Sequence, residues 1–259
     1  MANLDLKGSR VEFRQSGQGP DLLLLHSLLT ELTVFDRISP VLAAHRRVSC
    51  VNLPGFGASD PLALNTVADY ADHVAGAMDA LALPADTAVF GNGFGAFVAL
   101  ELAIRHGRRI GRLMVADTLA AFPEPARLPF RGMAEKVRAG GMPAVLDAAI
   151  GRMFPPAFAA AHPEVVAARK LALASADPAC FARACLALAA LDLRPALSGI
   201  RNPALVMCGA LDQTTPSALA HELAQAIPGA AWREIAGSGH CPMLEQPGAL
   251  VALIDEFLG

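Results

Sequence analysis

A chain of 259 residues is long enough for one large domain, or a core with a modest insertion, to bury a sizeable interior. Hydrophobic residues make up 54 %, much of it alanine, yet no apolar run reaches the roughly 18 residues of a membrane-spanning helix, and the Met1–Lys7 start lacks the basic-then-apolar order of a signal peptide. A net charge of −3 with mixed signs leaves no footprint for nucleic acid, and five cysteines (Cys50, Cys180, Cys185, Cys208, Cys241) without a metal-type C-x-x-C fit a reduced, cytoplasmic chain.

Val11 to Gln15 reads as a strand, and Gly17-Gln18-Gly19-Pro20 as a turn. Asp21 to Leu25 is an apolar run suited to a buried parallel strand, and it opens into His26-Ser27-Leu28-Leu29-Thr30. Helical spacing runs from Phe35 to Ala44. A second buried strand, Arg47 to Leu53, ends in Pro54-Gly55-Phe56-Gly57-Ala58-Ser59-Asp60. Thr66 is placed to cap a helix over Val67 to Leu81. The run Val89 to Gly91 then meets a glycine at every second position, Gly91, Gly93 and Gly95, before an alanine-rich helix over Ala96 to His106. A strand that turns sharply into a helix needs small residues around the bend, because side chains there collide. Leu113 to Ala116 is the next strand, ending at Asp117.

Composition shifts at Phe122-Pro123-Glu124-Pro125. From there to about Pro195 helix follows helix, with breaks at Gly140-Gly141, Pro155-Pro156, His162-Pro163 and Asp177-Pro178. Strands return at Ala204 to Cys208, followed by Gly209-Ala210-Leu211-Asp212, and at Ala231 to Ile235, followed by Gly237-Ser238-Gly239-His240; helices cover Ser217 to Ile227 and Pro247 to Leu258. Strands alternating with helices over short connections predict a doubly wound, mostly parallel sheet, with a core of residues 1–121 and 197–259 and a helical cap of residues 122–196 over the carboxyl edge of its strands.

The order of these landmarks resembles the α/β-hydrolase family over essentially the whole chain: a turn after an early strand, P-G-F-G-x-S, a G-x-x-x-G elbow, a helical insertion, Gly-x-x-Asp and Gly-His. Within it, His-Ser-Leu-Leu-Thr with the downstream Phe35-Asp36, and the run Met142 to Ala161, look like 3-oxoadipate enol-lactonases. Asn92 before the elbow centre is similar to the meta-cleavage-product hydrolases, which cut carbon–carbon bonds. The resemblance implies an α/β-hydrolase fold and a hydrolase. It also exposes one departure, because the elbow centre, where the family carries its nucleophilic serine, is Gly93.

The other parts of such a site are present. His240 suits a general base, since imidazole titrates near neutral pH, and Asp212, at the end of the preceding strand, is placed to accept its Nδ1–H and fix the tautomer. Asp117 is the second choice for that acid, with capping or lining of the pocket as its simpler role. An oxyanion hole needs backbone N–H groups aimed at the developing charge; by resemblance these come from Leu28 and Phe94. His26, Ser27, Asn92, Phe130, Met153 and Phe154 are candidate substrate-binding residues, although a buried structural histidine bonded to the next turn explains His26 better than catalysis does, and helix packing explains the aromatic and methionine stripe of the insertion at least as well. Ser27 is a hydroxyl near the site and at best a poor substitute for the missing nucleophile, Cys241 a packing residue, and Asn52 a turn residue. Arg131, Arg138, Arg152 and Arg183 are candidate partners for a substrate carboxylate.

Three functions compete on these residues. The first is an enzyme in which His240, backed by Asp212, activates water directly against a small activated carbonyl compound: an enol-lactone, an ester or a vinylogous diketone. The same base and oxyanion hole suit a lyase or isomerase step. The second is a Ser-to-Gly variant of an ordinary serine esterase or C–C hydrolase, and the third is a ligand-binding protein on the same scaffold. No cofactor or metal is called for, and the expected partner is a small molecule, with the chain a monomer or homodimer.

Overall fold

The computed structural model describes residues 1–259. Eight strands form one sheet: β1 (Ala2–Leu6), β2 (Ser9–Ser16), β3 (Asp21–Leu25), β4 (Arg47–Val51), β5 (Ala88–Asn92), β6 (Arg112–Ala116), β7 (Ala204–Gly209) and β8 (Ala231–Ile235). Their spatial order is β1-β2-β4-β3-β5-β6-β7-β8. The first two strands run antiparallel to their neighbours, and β4 through β8 are parallel to one another along with β3. The central strands are mostly apolar because both faces are covered; β3, β5 and β7 have no exposed residue. Two core helices carry the familiar local signals. In α2 (Val67–Ala80), after the short α1 (Ser39–Leu42), Thr66 accepts from the Asp69 amide at 3.1 Å while Asp69 accepts from the Thr66 amide at 2.9 Å, a reciprocal capping box. Helix α3 (Phe94–His106) leaves β5 with a single residue, Gly93, between them.

Between β6 and β7 lie five helices and no strand: α4 (Glu124–Gly140), α5 (Leu146–Ile150), α6 (Pro156–Ala161), α7 (Pro163–Ala174) and α8 (Pro178–Ala190). An isolated antiparallel bridge, Ala121 to Asp192, ties the two ends of this excursion together. Its apolar faces join the sheet's own core, with Phe130, Phe154, Phe181 and Leu188 all buried. After β7 come α9 (Ser217–Ala226), α10 (Pro242–Glu245) and α11 (Pro247–Leu258). No single helix is long and apolar enough to cross a membrane.

Two details depart from the sequence pattern. The helix expected over Phe35 to Ala44 is a 3-10 turn at Leu32–Phe35 and the four-residue α1, because Pro40 at the start of α1 has no N–H with which to continue an earlier helix. Strand β1 has no counterpart in that pattern: it is an exposed edge hairpin with β2, closed by Lys7 and Gly8 at positive φ.

Candidate active site

The carboxyl ends of β3, β5, β6 and β7 and the turn after β8 converge on one point beside Gly93. The backbone there has φ +52° and ψ −116°, a conformation that L-residues rarely adopt. The flanking glycines have a different reason for being small. A Cβ on Gly91 would overlap the Gly95 carbonyl, and one on Gly95 would overlap the Leu25 carbonyl, so the bend packs backbone on backbone. A Cβ on Gly93 would meet only side chains: the Ser27 hydroxyl, closer than van der Waals contact, Ser27 Cβ at 3.0 Å and His240 Nε2 at 3.0 Å. The elbow therefore requires glycine at 91 and 95 for packing, whereas position 93 opens on the site.

His240 is held from behind. Its Nδ1 lies 2.8 Å from Asp212 Oδ2. That carboxylate also accepts from Thr215 Oγ1 at 2.6 Å, and on its other oxygen from the amides of Thr214 and Thr215. Burial works against the Asp212 charge, but His240 and these donors outweigh it and hold its pKa below the usual carboxylate range. Burial likewise works to lower the imidazole. The charge and hydrogen bond of Asp212, with Asp117 and Glu245 beyond, prevail and raise His240 to about 9. The loop carrying His240 is pinned by Glu245, whose carboxylate accepts from the amides of Gly239 (2.6 Å) and Cys241 (2.8 Å).

A second buried carboxyl lies underneath. Asp117, at φ +56°, accepts from the Gly209 amide at 2.9 Å and from Asn92 Nδ2 at 2.7 Å, and Asn92 also donates to the His240 carbonyl at 3.2 Å. Burial, together with the Asp212 charge, pushes Asp117 up to about 8. Asp117, Asp212 and His240 bring one ligand-type atom each within 4.8 Å of one another. The nearby atoms are engaged internally, in the Asp212–His240 pair and in the bonds from Asn92 and Gly209, so the trio reads as a hydrogen-bond network and not as an open metal cradle.

Leu28 and Phe94 line the same chamber as Gly93 and His240. Both are buried, both face the chamber beside Gly93, and neither amide donates to a protein acceptor. Phe94 opens α3, so its N–H is one of the unpaired donors of a helix N-terminus, where negative charge is favoured. Ser27, Leu29, Phe97, Phe130, Met133 and Arg152 line the same small chamber of about 50 Å³. It adjoins a wider cleft of about 670 Å³ between the helical excursion and the sheet, lined by Phe122, Phe130, Arg152, Met153, Phe154, Asp212 and His240 among others.

Two of the residues named from sequence lie behind the chamber and do not line it. His26 is fully buried, with Nδ1 on the Ser27 carbonyl at 2.8 Å, Nε2 accepting from the Leu53 amide at 3.0 Å, and its ring edge-on to Phe56. Burial lowers it to about 4, and it is a neutral strut for the loop after β3. Asn92 is a strut too, through Asp117 and the His240 carbonyl. Cys241 is buried, and its thiol pKa is driven far up by burial. Sequence patterning overlooked Glu245, Thr215 and the buried pair Arg169–Glu31. Arg169 on α7 reaches Glu31 Oε1 at 3.2 Å and Thr33 Oγ1 at 2.9 Å, fastening the helical excursion to the loop that presents Leu28. Asn52 secures the same loop by accepting from the Leu32 amide at 2.7 Å. The one usable sequence signal is position: Glu245 follows Cys241 by four residues, and Thr215 follows Asp212 by three, the spacing of a side chain bonded to its own turn.

A model of the alpha/beta hydrolase family matches residues 22–253. A pimeloyl-[acyl-carrier protein] methyl ester esterase from Aromatoleum aromaticum is 33 % identical over 251 residues, covering 92 % of this chain and 98 % of that protein. The polyketide synthase ThaQ of Burkholderia thailandensis is 29 % identical over 97 % of this chain, which spans only 12 % of that much longer protein. Among solved structures, the enol-lactonase from Burkholderia xenovorans LB400 superposes with a TM-score of 0.91 at 30 % identity, covering 99 % of each chain.

Proposed function

The chain belongs to the alpha/beta hydrolase family and is a hydrolase-family enzyme, and from that premise we propose that it hydrolyses a small carboxylic ester or lactone, with the His240–Asp212 dyad activating water directly. One observation carries this: His240 Nε2 lies 3.0 Å from the point where a nucleophile's Cβ would stand on Gly93, while Nδ1 is anchored to Asp212. The base is aimed at the reacting position, and no side chain grows from that position to be acylated.

The steps follow from the residues. A substrate enters through the cleft between the helices and the sheet and sets its carbonyl oxygen between the amides of Leu28 and Phe94. Neutral His240 takes a proton from water through Nε2 as the water oxygen bonds to the carbonyl carbon. Asp212 stabilises the imidazolium, and the two amides donate to the oxygen on which charge develops. The tetrahedral adduct collapses when the C–O bond to the alcohol breaks and His240 returns the proton to the departing oxygen. Acid and alcohol are the products. An enolate leaves more readily than a simple alkoxide, so an enol-lactone suits a site without a covalent nucleophile. In the worked protease case, oxyanion hole and binding alone retain roughly 10³–10⁴-fold over water.

The esterase and the enol-lactonase that the chain resembles support an ester or lactone as substrate. A second possibility rests on the elbow itself, which keeps the strained backbone of a nucleophile position: a serine hydrolase that has lost its serine. The test is a panel of methyl esters, 4-nitrophenyl esters, enol-lactones and vinylogous diketones assayed with the parent and with His240→Ala. Hydrolysis of an ester or lactone that vanishes in the variant is the expected result. A variant that keeps the parent's rate on the best substrate overturns the proposal.

A further inference from the structure

The Ser27 hydroxyl is the nearest atom to the point where a Cβ on Gly93 would stand, and His240 Nε2 is 3.0 Å from that same point. Ser27 is 3 % exposed, and what it exposes faces the chamber that Gly93, Phe94 and His240 line. Its hydroxyl has no protein hydrogen-bond partner, whereas its carbonyl is occupied by His26 Nδ1 and by the amide and hydroxyl of Thr30. The backbone of residue 27 is thus fixed, and its side chain is left over, pointing at the reacting position. A serine in a merely structural role at the end of a strand bonds its own turn; here that work falls to Thr30 and His26.

We propose that Ser27 is a catalytic residue, its hydroxyl holding the attacking water against His240. This rests on the water-first mechanism above and deepens it. A water activated by a single base is free to rotate, and effective attack needs the oxygen lone pair aimed at the carbonyl carbon. With Nε2 accepting one hydrogen and Ser27 Oγ the other, the third direction of the water oxygen faces the carbonyl held by Leu28 and Phe94. One hydrogen passes to Nε2 as the O–C bond forms. The other stays on the new carboxyl group, and Ser27 neither gains nor loses a proton. The arrangement also gives glycine at 93 a functional sense, since a side chain there would displace both the Ser27 hydroxyl and the water it holds.

The test uses the purified full-length protein on 4-nitrophenyl acetate and vinyl butyrate, comparing the parent, Ser27→Ala, Ser27→Thr and His240→Ala. Ser27→Ala is expected to lose kcat by about 10- to 100-fold, the value of one hydrogen bond to a group becoming charged. KM, the melting temperature and the midpoint of the pH profile should be nearly unchanged, and Ser27→Thr should retain most of the rate. Equal kcat in the parent and Ser27→Ala, with His240→Ala inactive, overturns the role of Ser27 and leaves the base mechanism standing. Equal rates in the parent and His240→Ala overturn the base mechanism itself. A covalent adduct on Ser27 after exposure of the parent to a fluorophosphonate, located by peptide mass spectrometry, overturns the water-holding role by making Ser27 the nucleophile.

Discussion

Replacing Gly93 by serine tests the site at its centre. The backbone at φ +52° costs an L-residue about 1–3 kcal/mol, against roughly 0.4–1 kcal/mol regained from a stiffer unfolded chain. The new Cβ collides with the Ser27 hydroxyl, but that is the end of a short side chain and can turn aside, unlike the carbonyls that face Gly91 and Gly95. The net loss is at most about 2.5 kcal/mol. At about 2–4 °C per kcal/mol for a chain of this size, the melting temperature falls by up to about 10 °C. The chemistry changes more than the stability. The added hydroxyl stands beside Nε2, and an adjacent base activates such a hydroxyl. Gly93→Ser should therefore acquire a fluorophosphonate adduct by intact mass and a burst with 4-nitrophenyl esters. On the proposed mechanism, turnover of the ester or lactone substrate should fall or stay level, because the hydroxyl would fill the attacking water's place. The refuting result is a rise of several orders of magnitude, toward the factor of about 10⁶ that a lost nucleophile costs in the worked protease case. That outcome would mark a serine hydrolase deprived of its serine.

The remaining predictions concern the groups around His240. On the proposed mechanism His240 serves as base only when neutral, and Asp212 raises it to about 9, so kcat/KM should climb with pH through an apparent pKa near 9. The same shift makes stability pH-dependent in the opposite sense: the His240 contribution is fully present below about 6.5, the unfolded value, and is lost as pH rises through about 9, which urea titrations at pH 6, 8 and 9.5 would show as a falling midpoint. In Asp212→Asn the charge that raises the imidazole is gone and burial prevails, so the rising limb should move to lower pH, with kcat reduced about 10⁴-fold by analogy with the protease acid; an unmoved limb would assign the shift to Asp117. Arg169→Met leaves Glu31 buried beside the loop of Leu28 without its partner, at a cost of about 3–5 kcal/mol in denaturant titration, and adding Glu31→Gln should recover part of it.

Much of this architecture is legible in the sequence because it rests on local rules. Apolar runs such as Asp21 to Leu25 and Ala204 to Cys208 have no stable place except a sheet covered on both faces, and Thr66 with Asp69 announces the start of α2. The glycine spacing of the elbow is legible for the same reason, since overlap of backbone with backbone excludes any other residue at 91 and 95. The supports of the site are less legible because they act across the fold. Glu31 and Arg169 are separated by 138 positions, and Asn92 and the His240 carbonyl by 148. Nothing in the run around any of these residues marks its partner. Their sequence positions beside the site suggest that His26 and Asn92 touch the substrate, and the structure turns their polar atoms to the backbone and to Asp117 instead.

The buried acids argue against a pocket that only binds. Asp212, Asp117 and Glu245 all lie within the field of His240, and burial pushes each toward its neutral form. Holding Asp212 charged takes four hydrogen bonds, and holding the His240 loop takes two more, donated to Glu245 by the amides of Gly239 and Cys241. Replacing such a cluster by apolar side chains of similar volume is often neutral or stabilising, so a ligand-binding cleft gains little by keeping it. What the cluster does produce is a single directed lone pair. Nδ1 is committed to Asp212, which leaves Nε2 3.0 Å from the Cβ position of Gly93, in a chamber also lined by Leu28 and Phe94, whose amides donate to nothing in the protein. A base and free backbone donors lining one chamber are what the proposed addition of water to a carbonyl requires, with or without a side chain at position 93.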